Sequence, residues 1–124
     1  MVAKLEVEGL ENLITEVEKL GAKGNRIENK ALREAGEVVR AAIEKEAPKK
    51  TGALKESIKA SGVRTKEGLK HVAVGPDAKG WYGKFVEFGT VKMKANPFMA
   101  RGYETSKEEA VEKIAEELKK GLGL

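Results

Sequence analysis

The side chains in this sequence that could do chemistry are few, and their spacing argues against it. One histidine, His71, and one aspartate, Asp77, are present, and there is no cysteine. Without cysteine there is no disulfide framework, no thiolate metal site and no cysteine nucleophile. A lone histidine leaves no histidine-based zinc site and argues against a Ser–His–Asp triad. His71 falls in an alternating stretch with no acidic ligands beside it, which is the setting of a structural histidine. Glu108/Glu109 and Glu116/Glu117 are neighbours on a helical pattern, so each pair diverges. Glu108/Glu112 and Glu112/Glu116 do share a face, as the wet side of an amphipathic helix routinely arranges. Glycines 75, 80, 83 and 89 fit neither the phosphate-binding loop nor the dinucleotide pattern. No catalytic, cofactor-binding or metal-binding residue is expected, and the chain is read as not an enzyme.

Basic and aromatic residues have more to offer. Residues 1–46 carry 8 Lys/Arg against 10 acids, residues 47–103 carry 12 against 4, and residues 104–124 carry 4 against 6. The net charge of +4 is therefore a basic middle of +8 between two ends of −2 each. Such a stripe attracts polyanions and steers association. With Trp81, Tyr82 and Phe85 in the same segment, a stacking platform in an electrostatic groove is one reading. Only Arg64 and Arg101 represent arginine there, and arginine dominates base readout, so sequence-specific recognition is not expected. A small basic nucleic-acid-binding or toxin-like module is the alternative function that this segment supports.

The remaining bounds are broad. A chain of 124 residues and 13.5 kDa makes one domain, residues 1–124, long enough to hold a core. No apolar run approaches the roughly 20 residues of a membrane span. The opening MVAKLEVEGL lacks the basic and apolar stretches of a signal peptide, so a soluble, intracellularly made protein is expected. Glutamine is absent and Lys and Glu together supply 38 residues, which resembles the composition of heat-adapted proteins and says nothing about activity.

Several elements must position these residues. Residues 4–8 alternate as a short strand. Leu10, Leu13, Ile14, Val17 and Leu20 form a helical stripe closed by Gly21. After a glycine-bearing gap at 21–24, the longest helix runs over 25–47, about 35 Å, until Pro48 stops it. Its apolar face is rich in small residues, and Gly36 in its interior invites a packing explanation. Thr51 either caps a short helical turn through Leu54 or bends with Gly52 into a strand. Residues 57–65 and 69–75 read as a hairpin around Lys66-Glu67-Gly68, with Gly62 at a bulge or a close backbone approach. Val72 and Val74 face one side of it, and Leu69, His71 and Ala73 the other. Trp81, Phe85 and Phe88 at i, i+4, i+7 suggest a short helix ending at Gly89, with a strand as the alternative over 81–88. Their size and spacing assign Phe85 and Phe88 to the core. A polar loop over 89–96 leads to a final helix with two start signals. One is Asn96-Pro97, and the other is a capping box at Ser106 and Glu109.

Taken in order, these residues resemble a phage family. The long helix ends in Ala47-Pro48 and is followed by Thr51-Gly52-x-Leu54-x-x-Ser57-Ile58. Then come Val72-x-Val74-Gly75, Tyr82-x-x-Phe85-Val86-Glu87-Phe88-Gly89-Thr90, Pro97-Phe98 and a charged last helix. The pattern is similar to the head–tail joining proteins (neck or tail-completion proteins) of long-tailed bacteriophages and prophages, over roughly residues 9–120. Where that family has a small residue and often a proline just after the tyrosine, this chain has Gly83 and Lys84.

The resemblance implies an α+β fold: a long helix packed on a small antiparallel sheet, with a short N-terminal and a longer C-terminal helix. It also implies a structural role without cofactors. Copies form a cyclic ring of six or twelve at the virion neck, between connector and tail proteins, and DNA leaves the head through it. Such subunits are made in the host cytoplasm and are often monomeric until they meet their partners. No membrane partner and at most weak, non-specific DNA contact are implied. Asp77 and Lys79, Tyr82, and Lys92 and Lys94 are then candidate assembly residues, because loops 76–80 and 89–96 can reach a neighbour and order on assembly. Lys92 and Lys94 either contact that neighbour or screen passing phosphates. Glu87 is read as a charge fixing the aromatic helix against its neighbouring loop or the next subunit. Thr51, Gly52, Leu54, Phe85, Phe88, Gly89, Pro97 and Phe98 form the structural motif.

Overall fold

A computed structural model describes residues 10–49 and 52–124; the strand expected at 4–8 and Thr51 lie outside the described residues. Helix α1, Leu10–Glu18, turns Leu10, Leu13, Ile14 and Val17 of the apolar stripe inward, with Val17 fully covered, while Leu20 lies past its end and is exposed. The chain turns at Gly21, whose φ of 60° suits glycine, into α2, Ala22–Glu46. That helix starts three residues before the expected position because Gly24 is a packing residue rather than part of a linker. A Cβ there would lie 1.9 Å from the Val17 carbonyl oxygen, so only glycine lets α1 cross so closely. At the far end Ala47 turns extended, with ψ 142°, as a residue before proline prefers.

The largest packing surface joins α2 to α5, Phe98–Leu122. Each has 25 residues, about 37 Å of helix. They run antiparallel: Gly102 faces Ile43 at one end and Gly121 faces Ile27 at the other. Arg101 pairs with Glu46 at 3.1 Å, and Lys30 with the buried Glu117 at 3.5 Å, across this seam. Of the two expected starts, the helix uses the one at proline. Ser106 is buried eight residues inside, and its hydroxyl donates to the Gly102 carbonyl at 2.7 Å, so its capping box is not formed.

Between the two long helices the chain forms α3, Ala53–Ser57, and an interrupted hairpin. Strand β1, Ile58–Ala60, pairs antiparallel with β4, Val74–Pro76; β2, Arg64–Lys66, pairs antiparallel with β3, Leu69–His71. The expected hairpin is thus present but split in two. Ala60 faces Val74 and Arg64 faces His71, so residues 61–63 oppose only 72–73, a one-residue bulge at the position of Gly62. Ser61 holds the break, its amide donating to the Ala73 carbonyl at 2.8 Å and its Oγ accepting from the Ala73 amide at 2.9 Å. Positive φ at both Glu67 and Gly68 closes the tip as a two-residue turn of the kind that matches strand twist. The bulge also undoes the simple alternation expected of 69–74. Val72 comes down on α2, where a Cβ on Gly36 would lie 2.8 Å from its Cγ1, while Leu69 stays exposed. Packing therefore explains Gly36.

Two apolar clusters result. Val17, Ala31 and Leu118 close the end near α1, and Ile43, Ala47, Leu54, Ile58 and Phe98 close the other. The architecture is α+β, with the long helix on a small antiparallel sheet, a short N-terminal helix and a longer C-terminal one.

Candidate assembly interface

The second cluster is the floor on which the aromatic segment rests. Asp77 opens it: its Oδ1 accepts from the Lys79 amide at 2.9 Å, and its own amide donates to the Ser57 carbonyl at 2.8 Å. A 3₁₀ turn, Ala78–Gly80, follows, and Trp81 and Tyr82 continue in helical conformation into α4, Gly83–Phe88. Residues 81–88 are helical, which settles the alternative left by the sequence.

The way this helix faces overturns one expectation. Phe85 and Phe88 are not in the core: they are 40% and 78% exposed, and Trp81 is 66% exposed. A helix of six residues has one face to bury, and here that face carries Gly83, Val86 and Glu87. Gly83 lies against Pro76 and Leu54. The row Trp81, Phe85, Phe88 is left on the opposite side, with Trp81 edge-on to Phe85 at 6.1 Å between centroids. Tyr82, also edge-on to Trp81, packs partly against the core. The aromatic that fills the core is Phe98, which is fully buried. Leu54 of the structural motif is buried too, and Gly52 adopts the left-handed conformation that starts α3, φ 71°.

Glu87 explains the choice of face. Its side chain is buried, and its carboxylate oxygens accept from the Met99 amide at 2.9 Å and the Ala100 amide at 3.1 Å. These are first-turn donors of α5, whose N-cap residue, Pro97, has no side-chain oxygen to offer. An anion at this end also meets the positive pole of the helix dipole. Glu87 thus caps α5 from outside, and the same bonds lock α4 face down. Its charge is spent within the chain.

Loop 89–96 is built rather than slack, as is loop 76–80. Gly89 ends α4 with φ 77°, and a Cβ on it would lie 2.8 Å from both the Ala95 nitrogen and the Met93 oxygen. Thr90 and Met93 exchange backbone hydrogen bonds at 2.9 and 3.2 Å, and the Asn96 amide donates to the Val86 carbonyl at 2.7 Å. Asn96 accepts from Arg101, which also holds Glu46. Val91 and Lys92 form the tip, and Val91 is fully exposed. Lys79, Lys84, Lys92 and Lys94 are all exposed around the aromatic row and make no ion pair among the described residues. Lys84 lies over the Phe85 ring at 5.2 Å from its centroid.

Beside this row runs a groove of about 1010 Å³ between the hairpin and the first half of α5. Leu32, Gly36, Leu69, Val72, Phe88 and Tyr103 contribute to its walls. His71, half-buried, lines it, as do Glu67 and the buried Glu87. Among the described residues no group of His, Asp and Glu could hold a metal ion, and no helix is long and apolar enough to cross a membrane. An exposed aromatic row, lysines without ion pairs among the described residues and a largely apolar groove can bind a protein surface.

Residues 11–89, from α1 through α4, match the family described as "Bacteriophage HK97-gp10, putative tail-component". The chain belongs to this HK97-gp10-like family. It is a structural component of the phage tail and neck, located in the virion. No curated protein and no solved structure gives a match. In this HK97-gp10-like chain the aromatic row and Glu87 fall inside the matched span, while loop tip and α5 lie beyond it. The sequence pointed to the aromatic segment but not to which side of it faces water. The usable signal was Glu87 itself, four residues after Gly83 on one helical face, where an ordinary apolar contact face would have no charge.

Proposed function

We propose that this protein is a head–tail joining subunit whose copies close into a ring at the virion neck, between connector and tail, with DNA leaving the head through the lumen. The ring holds six or twelve copies, and the whole chain, 1–124, acts as one domain in it. One observation carries this reading: a folded tail-family chain leaves Trp81 and the α4 side chains Phe85 and Phe88 in water beside four lysines that make no ion pair among the described residues. Apolar patches of this kind on soluble chains mark surfaces that another protein covers. A contact between two different patches of the same chain propagates, and it closes into a ring when its rotation divides the circle. Connector and tail proteins are the other neighbours. The subunits are made in the host cytoplasm, and DNA is touched weakly at most.

Native mass spectrometry over a concentration series in moderate salt, with and without short duplex DNA, tests the reading. A closed species of six or twelve copies that forms without DNA is expected. A two-fold dimer that takes up DNA stoichiometrically contradicts it. That second result is what a nucleic-acid-binding module predicts, a reading favoured by the same lysines standing beside stacking-competent rings. Its affinity for DNA falls steeply and linearly in log salt, whereas the joining subunit binds weakly at every salt concentration.

A further inference from the structure

We propose that residues 4–8 of this chain, which lie outside the described residues, seat in the groove as a strand. They pair antiparallel with residues 70–74, whether or not copies close into a ring. One wall of the groove is a strand edge. Leu69 and residues 71–74 line it together with the hairpin tip, whereas no described residue of β1 does. Among the described residues each sheet has two strands, so β3 and β4 are each paired along one edge only. The pairing decides what the other edge offers. The Asp77 amide donates to the Ser57 carbonyl and the Ser61 amide to the Ala73 carbonyl. Residues 73, 75 and 77 therefore turn their backbone groups towards β1. The two-residue turn at 67–68 directs Leu69 and His71 towards β2 in the same way. Lys70, Val72 and Val74 are left with amides and carbonyls pointing away from both partners. Such a row is a template for one more strand.

Length, direction and pattern select residues 4–8 as the occupant. The floor of the groove follows α2 from Leu32 to Ile43, about 16 Å. Five residues of strand span about the same distance. The open edge runs along α2 in the direction of that helix. Lys70 pairs with Glu28 at 3.0 Å, Val72 lies on Gly36, and Val74 packs on the cluster of Ile43. Leu10, where α1 begins, packs on the cluster of Ala31 and Leu118, next to the Leu32 end of the groove. Followed back from α1, residues 8 to 4 enter there and run towards Ile43, which sets them antiparallel to 70–74. Gly36 lies four helical steps, about 6 Å, past Leu32, and Val7 lies two strand steps, about 7 Å, past Gly9. Val7 thus falls opposite Val72, and Leu5 opposite Val74. Facing residues of an antiparallel pair share a side of the sheet. Leu5 and Val7 therefore join Val72 and Val74 against the helices, and Lys4, Glu6 and Glu8 point outward. With Gly9 as the single link to α1, the segment is held beside its own groove at high effective concentration, ahead of the same segment of another copy.

A chain without cysteine allows a direct test. Full-length Glu6→Cys with Ala73→Cys places thiols on facing outward positions, Ala73 being exposed. Oxidised at low concentration with copper phenanthroline, it is expected to form a disulfide within one chain, read from the intact monomer mass. Glu6→Cys with Thr65→Cys, on the exposed far edge of β2, is expected to stay reduced. In the wild type the Val72 and Val74 amides are expected to exchange hydrogen slowly. Leu5→Asn with Val7→Asn is expected to speed that exchange at least roughly 10-fold while amides in the middle of α2 keep their rates. A disulfide joining two copies would give the groove to a neighbour's segment and overturn the pairing within one chain. No disulfide between positions 6 and 73, with equal exchange at Val72 and Val74 in wild type and variant, would overturn the strand itself.

Discussion

Replacing Glu87 tests how the aromatic helix is held. Glu87→Ala removes two charge-assisted hydrogen bonds, at 2.9 and 3.1 Å, from a buried position. Loss of a helix cap costs about 0.5–2 kcal/mol. Leaving donors buried and unpaired adds to it, at about 1–3 kcal/mol for each group that water cannot reach. Ala100 is exposed at the residue level and Met99 is half-buried, so partial rehydration keeps the total to about 3 kcal/mol. For a chain of this length that corresponds to a fall in melting temperature of about 12 °C. Glu87→Gln keeps the shape but has one acceptor oxygen, so about half to two thirds of the loss is expected. Glu109→Ala, exposed on the wet side of α5 and without an ion pair among the described residues, is the control and should shift stability by less than about 0.5 kcal/mol. Thermal and urea unfolding followed by circular dichroism give the comparison. The expected order is wild type, then Gln, then Ala. An Ala variant within about 1 kcal/mol of the control would refute the claim that Glu87 caps α5.

Three further outcomes follow from the same geometry. Phe98→Ala should cost about 3–5 kcal/mol, while Phe88→Ala should leave the monomer within about 0.5 kcal/mol of wild type, because one ring is fully buried and the other mostly in water. Urea titrations decide this, and similar losses for both would refute the placement of α4. Lys92→Glu with Lys94→Glu should leave the melting temperature unchanged but abolish ring formation; unchanged rings would remove both lysines from any assembly role. Glu116 is held below the ordinary carboxylate range by its hydrogen bond to Lys120, helped by the charges of Lys113 and Lys120. A depressed carboxylate stabilises the fold above its unfolded pKa and loses that contribution as pH falls through its folded value. Hydrogen-bonding to Glu116 raises Lys120, whose contribution is lost at the alkaline end, as pH rises through its folded value. Both groups are solvent-exposed, so Glu116→Gln should flatten the acid limb only slightly in low salt and not at all in high salt, measured as melting temperature against pH. An effect that persists in high salt would contradict this.

Periodicity carried most of the architecture. The stripes of α1 and α2, the start of α5 at Asn96-Pro97, the stop at Pro48 and the glycine turn of the hairpin were all legible because each depends on local spacing or local backbone chemistry. Features that depend on what lies across a gap were not. Gly24 reads as a linker residue until the Val17 carbonyl is seen in the place of its Cβ. Ser106 reads as a cap until its hydroxyl is found bonded to the preceding turn of α5. A row at i, i+4, i+7 defines one face of a helix without saying which way it points, and α4 points it at water. What turns α4 over is a carboxylate reaching a different helix 12 and 13 residues along the chain, and no window of local sequence contains that partnership. The family was nevertheless legible, because its motif residues set the order of elements whichever side they face.

Electron microscopy of the wild-type protein at high concentration, averaged in end-on views, tests the central claim most directly. Closed rings of six or twelve copies around an open lumen are the predicted result. Two-fold particles, or filaments that never close, would contradict a subunit built to ring the path of the DNA.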